Sequence, residues 1–132
     1  MPILYVTALY AAILALILLV LSMRVIAVRR RSRVAIGDGG DDTLARRIRA
    51  QGNFTEYVPI ALILMLAAEQ AGPPAWMLHA LGVALVVGRI THAWSLSAHS
   101  IPGRTIGMSL TFLVLIAGAA LAIAAAVGTF AD

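Results

Sequence analysis

A chain of 132 residues that is 61% hydrophobic, with a mean hydropathy of +0.95, is too apolar for an ordinary soluble domain and has the length of about four membrane spans in one domain. The absence of cysteine excludes disulfides, thiolate metal sites and a protein thiol nucleophile, so any sulfur chemistry comes from a ligand. The formal charge of +4 is not a nucleic-acid footprint: all ten basic residues are Arg, and Arg24, Arg29, Arg30, Arg31, Arg33, Arg46, Arg47 and Arg49 fall between the first two apolar stretches, the placement of a positive-inside loop beside anionic headgroups.

The first stretch, 1–23, carries no charge and predicts a span over about 3–28. It lacks a basic leader region and is longer than a cleavable signal core, so it reads as a retained helix. Residues 37–42, Gly-Asp-Gly-Gly-Asp-Asp, form a flexible loop in which Asp41, Asp42 or Thr43 caps the next helix. The loop lacks the spacing and terminal Glu of a calcium loop. A second span is expected over 44–71, with Glu56 and Glu69 around the uncharged run 57–68 and Glu69 solvated at the far interface. Arg46, Arg49, Asn53 and Glu56 recur at spacings of 3, 4 and 3, which puts them on one helical face. Pro59 cannot donate to the carbonyl of Thr55, so a bend is expected there.

After the turn Gly72-Pro73-Pro74, a third span over 74–97 carries the same 3, 4, 3 pattern in Arg89, His92, Leu96 and His99. Trp76 and Trp94 stand near its two ends as interfacial anchors. Small residues such as Gly82, Gly88 and Gly118 permit close helix packing. His79 and His92 are 13 residues apart, about 20 Å along a helix, which is too far to share a metal. The fourth span, about 104–130, opens on Arg104 and Thr105 and is uncharged thereafter up to residue 131.

The polar residues share a depth. Glu56 lies 17 residues before Pro73 and Arg89 lies 16 after it, while Asn53 and His92 lie 20 before and 19 after. At about 1.5 Å per residue these pairs meet at one level, near the Arg-rich edge of the hydrocarbon. Glu56 and Arg89 are expected to neutralise each other, either as part of a ligand site or as a structural pair that fixes helix register. Arg104 at a helix N-terminus is an anion site that would lower the pKa of a thiol placed there. An anionic, thiol-bearing ligand with several carboxylates fits this layer, and glutathione is the cytoplasmic candidate.

The stretch RRIRAQGNFTEYVP at 46–59, GRITH at 88–92 and the pair Arg104-Thr105 resemble the signature elements of the MAPEG family, the membrane-associated proteins in eicosanoid and glutathione metabolism. With the four-span layout, the resemblance covers nearly the whole chain. It implies an all-α four-helix transmembrane bundle assembled as a homotrimer, with glutathione bound between subunits as cosubstrate. It also implies Arg49, Asn53, Glu56, Arg89, His92 and Thr105 as binding positions and Arg104 as the residue nearest the thiolate. A late first-helix Arg would join them: Arg29, with Arg24 or Arg31 as alternatives.

Where eicosanoid-metabolising members carry Tyr, this chain has Leu96 and Met108, and Gly52 stands where some members have Arg. The Tyr-Val-Pro form is more similar to bacterial members. The expected activity is that of a glutathione transferase or peroxidase on lipophilic electrophiles or hydroperoxides from the bilayer. The alternative is a non-catalytic member that binds lipid or a partner protein. A small multidrug transporter would need an acidic residue in the first span, and that span has none.

The Arg count orients the chain in a bacterial inner membrane, with 24–49 cytoplasmic and both termini on the other side. A reporter fused after Asp132 is therefore expected to signal from the non-cytoplasmic side, and a cytoplasmic signal would overturn this orientation.

Overall fold

The computed structural model describes residues 5–128 and 130. It consists of four long helices in chain order: α1 (Val6–Ser32), α2 (Asp42–Glu69), α3 (Ala75–Ser97) and α4 (Ile101–Ala126). Residues 3, 4 and 129, which fall within the expected first and fourth spans, lie outside the described residues.

Helix α1 continues past the hydrocarbon and ends with Arg29, Arg30 and Arg31 in its last turn, where cations complement the negative end of the helix dipole. Arg33 then takes a left-handed conformation with φ 55°. In the connecting loop Arg29 donates to the carbonyl of Gly37 at 2.7 Å, and Gly37, Gly39 and Gly40 all have positive φ, the region glycine enters without strain. Of the three expected caps, Asp41 is the one used: it accepts from the Leu44 N–H at 3.0 Å and from the Ser32 hydroxyl. The Ser32 hydrogen bond and then the Leu44 N–H hold its carboxyl below the usual carboxylate range. One side chain thus joins the end of α1 to the start of α2.

Helix α2 runs without interruption through Pro59. Helix α4 begins three residues before Arg104, because Ser100 caps it by accepting from Gly103 and Pro102 sits in its first turn. His99, expected to extend the polar face of α3, instead lies beyond its end in a turn with φ 56°.

Helices α2 and α3 form the middle of the bundle. Each touches the other and both outer helices, whereas α1 and α4 do not meet. The core is mainly aliphatic, built on Leu14, Val58, Ala61, Met65, Leu78, Leu85 and Val114 with Tyr10 and Phe54 among them. Helices α1, α3 and α4 are each long and apolar enough to cross a membrane. Helix α2 is matched to α1 at both ends: Gln51 donates to the Ser22 hydroxyl at 2.9 Å, and Glu69 accepts from the N–H groups of Val6 and Thr7. The 16 residues from Val6 to Ser22 cover about 24 Å, most of a hydrocarbon core of about 30 Å, so α2 crosses the same layer. The outward side chains of Leu16, Leu19, Val20, Ile63, Ile116 and Ile123 are exposed from the bundle, as lipid-facing residues are. The chain is an all-α integral membrane bundle.

Glu69 corrects an expectation. It is not left to solvent: its two oxygens cap the start of α1 from another helix. Tyr5, at the N-cap position, supplies no side-chain cap, and N–H groups left bare near hydrocarbon would be costly.

Two glycines set the α1–α3 and α3–α4 distances. A Cβ on Gly82 would strike the Tyr10 ring, and one on Gly107 would come within 2.8 Å of the Gly88 carbonyl and 2.7 Å of the His92 Cβ. At Gly118 an added Cβ meets Leu64 at an ordinary 3.4 Å. Gly107→Ala is expected to lower stability by about 1–3 kcal/mol because backbone must move. Gly118→Ala should be neutral or gain up to about 1 kcal/mol from helix propensity. Thermal unfolding of the two variants in detergent measures the contrast.

Candidate functional site

Arg89, on α3, is 2% exposed and is the largest of the fully buried side chains. Its Nη1 donates to Asn53 Oδ1 on α2, and its Nη2 donates to Thr111 Oγ1 at 2.6 Å and to the Gly107 carbonyl at 3.3 Å on α4. The Met108 sulfur lies 3.5 Å from the same nitrogen, and Nε has no partner. The guanidinium joins three helices, and every one of these acceptors is neutral.

Glu56 is not among them. It accepts two hydrogen bonds at 3.1 Å from Arg49 on the exposed side of α2. Matching depth was right for the level but said nothing of direction around the helix. At about 100° per residue, Asn53 and Glu56 differ by about 60°, whereas Arg49 and Glu56, seven apart, nearly coincide. Asn53 therefore faces Arg89, and Glu56 faces outward with Arg49. The Glu56–Arg89 pairing is replaced by an exposed pair with 56% and 48% side-chain exposure and a buried cation held by neutral oxygens.

His92, one turn after Arg89, is buried. Gly107 packs against its Cβ. Arg104 is exposed in the first turns of α4, beside the exposed Thr105, whose hydroxyl donates to the Ile101 carbonyl at 3.2 Å. The helix N-terminus itself offers less than expected. Pro102 has no N–H and the Gly103 N–H is taken by Ser100, so anion attraction there rests on the Arg104 guanidinium more than on free amides.

The structure therefore draws Arg49, Asn53, Glu56, Arg89, His92 and Arg104 into one end of the bundle. Arg29 stays apart, engaged with its own loop. Of the alternatives to it, Arg24 donates to Ser97 on α3 and Arg31 remains exposed at the end of α1. Sequence reasoning missed Thr111, yet the signal was present. The buried residues of α4 are Gly103, Gly107, Thr111, Val114 and Gly118, a stripe spaced 4, 4, 3 and 4. A lone hydroxyl on such a stripe has to find a partner inside the bundle. Tyr10 and His79, also missed as a pair, share a 3.0 Å hydrogen bond at the opposite end.

Fold and site together define a small polytopic membrane protein with a cationic polar layer toward one end of its bundle. Its sequence matches the MAPEG family profile over residues 7–124. It is 42% identical over 111 residues to the inner membrane protein YecN of Escherichia coli K12, covering 84% of this chain and 85% of that protein. The same protein of Escherichia coli O6:H1 matches equally. The chain belongs to the MAPEG family.

A double-mutant cycle tests the revised pairing. Arg89→Ala and Asn53→Ala should couple by about 1–3 kcal/mol, as a buried charged hydrogen bond does. Arg89→Ala and Glu56→Ala should add to within about 0.5 kcal/mol. Unfolding in detergent reads both, and strong Glu56–Arg89 coupling would overturn the assignment.

Proposed function

We propose that this MAPEG protein is a glutathione-dependent transferase or peroxidase acting on lipophilic electrophiles or hydroperoxides that enter from the bilayer. The observation that carries this reading is the buried Arg89 guanidinium held only by neutral oxygens, one turn from buried His92, with Glu56 the one carboxylate among the described residues hydrogen-bonded to Arg49. A buried guanidinium with neutral partners and two accessible ones favour a ligand carrying more than one carboxylate. Glutathione has two, and it would supply the thiol that the cysteine-free chain lacks.

Each residue then has a physical role. Arg49, Asn53, Glu56, Arg89 and His92 bind and orient the peptide. Arg104 stabilises negative charge at sulfur, with the Thr105 hydroxyl beside it. Leu96 and Met108 carry no hydroxyl, so the electrostatic work falls on Arg104.

Assembly as a homotrimer belongs to the same reading. Arg49, Glu56 and Arg104 point away from their own bundle at a depth where lipid is a poor neighbour for charge. Helices α1 and α4 do not meet within one chain, so a site using both Arg29 and Arg104 calls for a second copy. The expected setting is the bacterial inner membrane, with the Arg-rich loop facing cytoplasmic glutathione and both termini on the opposite side.

Arg104→Ala is expected to abolish the ultraviolet absorbance of bound thiolate and most turnover, while glutathione binding is largely kept. That corresponds to losing a depression of about two units from an unperturbed thiol pKa near 8.5. Arg49→Ala should instead weaken binding by roughly tenfold or more, as loss of a charged hydrogen bond does. Wild-type protein that binds glutathione with no thiolate signal at neutral pH and conjugates no model electrophile would overturn catalysis and support a binding role.

A further inference from the structure

Between α1 and α3 an open groove of about 510 Å³ runs along the outside of the bundle. Ile13, Ile17 and Val20 form one wall and Val86, Ile90 and Ala93 the other. Its end nearer the Arg-rich loop is polar: Arg24, Trp94 and Ser97 close it. Arg24 donates to the Ser97 hydroxyl at 2.9 Å, and among the described residues no carboxylate lies within ion-pair distance of it.

The dimensions fit one leaflet. Ile13 and Arg24 are 11 residues apart, about 16 Å along the helix, and the hydrocarbon core is about 30 Å thick. The groove therefore reaches from near the bilayer centre to the headgroup level, where the 59% exposed Trp94 sits as interfacial Trp residues do. An apolar slot of this length ending at a cation and a hydroxyl matches an amphiphile with an anionic head.

Charge also discriminates among occupants. The described carboxylates are already engaged: Asp38 with Gly40, Asp41 with Ser32 and Leu44, Asp42 with Arg46, Glu56 with Arg49, and Glu69 with the start of α1. Among the described residues, a second copy of the bundle would bring no carboxylate without a hydrogen-bond partner to Arg24. No acidic side chain lines the groove to receive an ammonium headgroup. We propose that this groove binds an anionic phospholipid from the leaflet on the Arg-rich side, its acyl chain between α1 and α3 and its phosphodiester held by Arg24 and Ser97. The site is independent of the glutathione reading and is tested without glutathione.

Full-length protein in dodecyl maltoside is titrated with dioleoyl phosphatidylglycerol or dioleoyl phosphatidylcholine, and lipid retained per chain is counted by native mass spectrometry. Phosphatidylglycerol is expected to be preferred by roughly fivefold, the weight of one guanidinium at a charged membrane surface. Arg24→Ala should remove that preference and Arg24→Lys should restore most of it. Ile90→Trp, which fills the slot from an exposed position, should reduce retention of both lipids with the melting temperature unchanged. Inorganic phosphate should not displace the lipid. Equal retention of the two lipids, or a preference that survives Arg24→Ala, overturns the proposal. So does displacement by inorganic phosphate, or an Ile90→Trp effect on chain number with no lipid lost.

Discussion

The placement of one guanidinium organises this molecule. Arg89 sits in the interior of a membrane bundle, where an unsolvated charge is expensive, and it is held by oxygens from α2 and α4 that carry no charge. Neutral acceptors satisfy the N–H groups without cancelling the field. A carboxylate in the place of Asn53 would have made a tighter internal pair and removed the positive potential. With Glu56 drawn outward by Arg49, the interior stays cationic while the outer face carries a compensated pair. Within α2, Asn53 serves the interior cation and Glu56, one turn on, serves the outer face.

The approach of the helices follows from that placement. Thr111 and the Gly107 carbonyl reach Arg89 because α4 lies against α3 at the Gly88–Gly107 contact, where even a methyl group would intrude. Small residues in membrane helices usually serve dispersion packing. Here the same closeness presents a backbone carbonyl to a cation. That carbonyl also accepts from the Thr111 hydroxyl at 2.9 Å, so helix packing and cation coordination form one network.

Much of the fold was legible because the bilayer imposes length and polarity on each span, and the sequence declares both. Four apolar stretches, an Arg-rich connection and matched distances from Pro73 were enough to place Asn53, Arg89 and His92 in one layer. What could not be read was the azimuth. Depth comes from counting residues, but partner choice depends on how each helix is rotated, and Asn53 and Glu56 are too close in sequence for depth to separate them. Glu69 was illegible for a related reason: a carboxylate near a helix end looks solvated until the bundle places another helix terminus beside it. The fate of His99 turned on where α3 stops, the part of a helix that sequence patterns define least well.

The cap that Glu69 provides has a consequence for how the chain is made. The first turn of α1 leaves the ribosome more than sixty residues before the carboxylate that satisfies its Val6 and Thr7 N–H groups. Until α2 has crossed the bilayer, the leading end of α1 must keep those groups in water or among headgroups. The first helix is thus chemically unfinished when it enters the membrane and is completed by the arrival of the second, so the α1–α2 hairpin, rather than either helix alone, is the unit that reaches a stable transmembrane state.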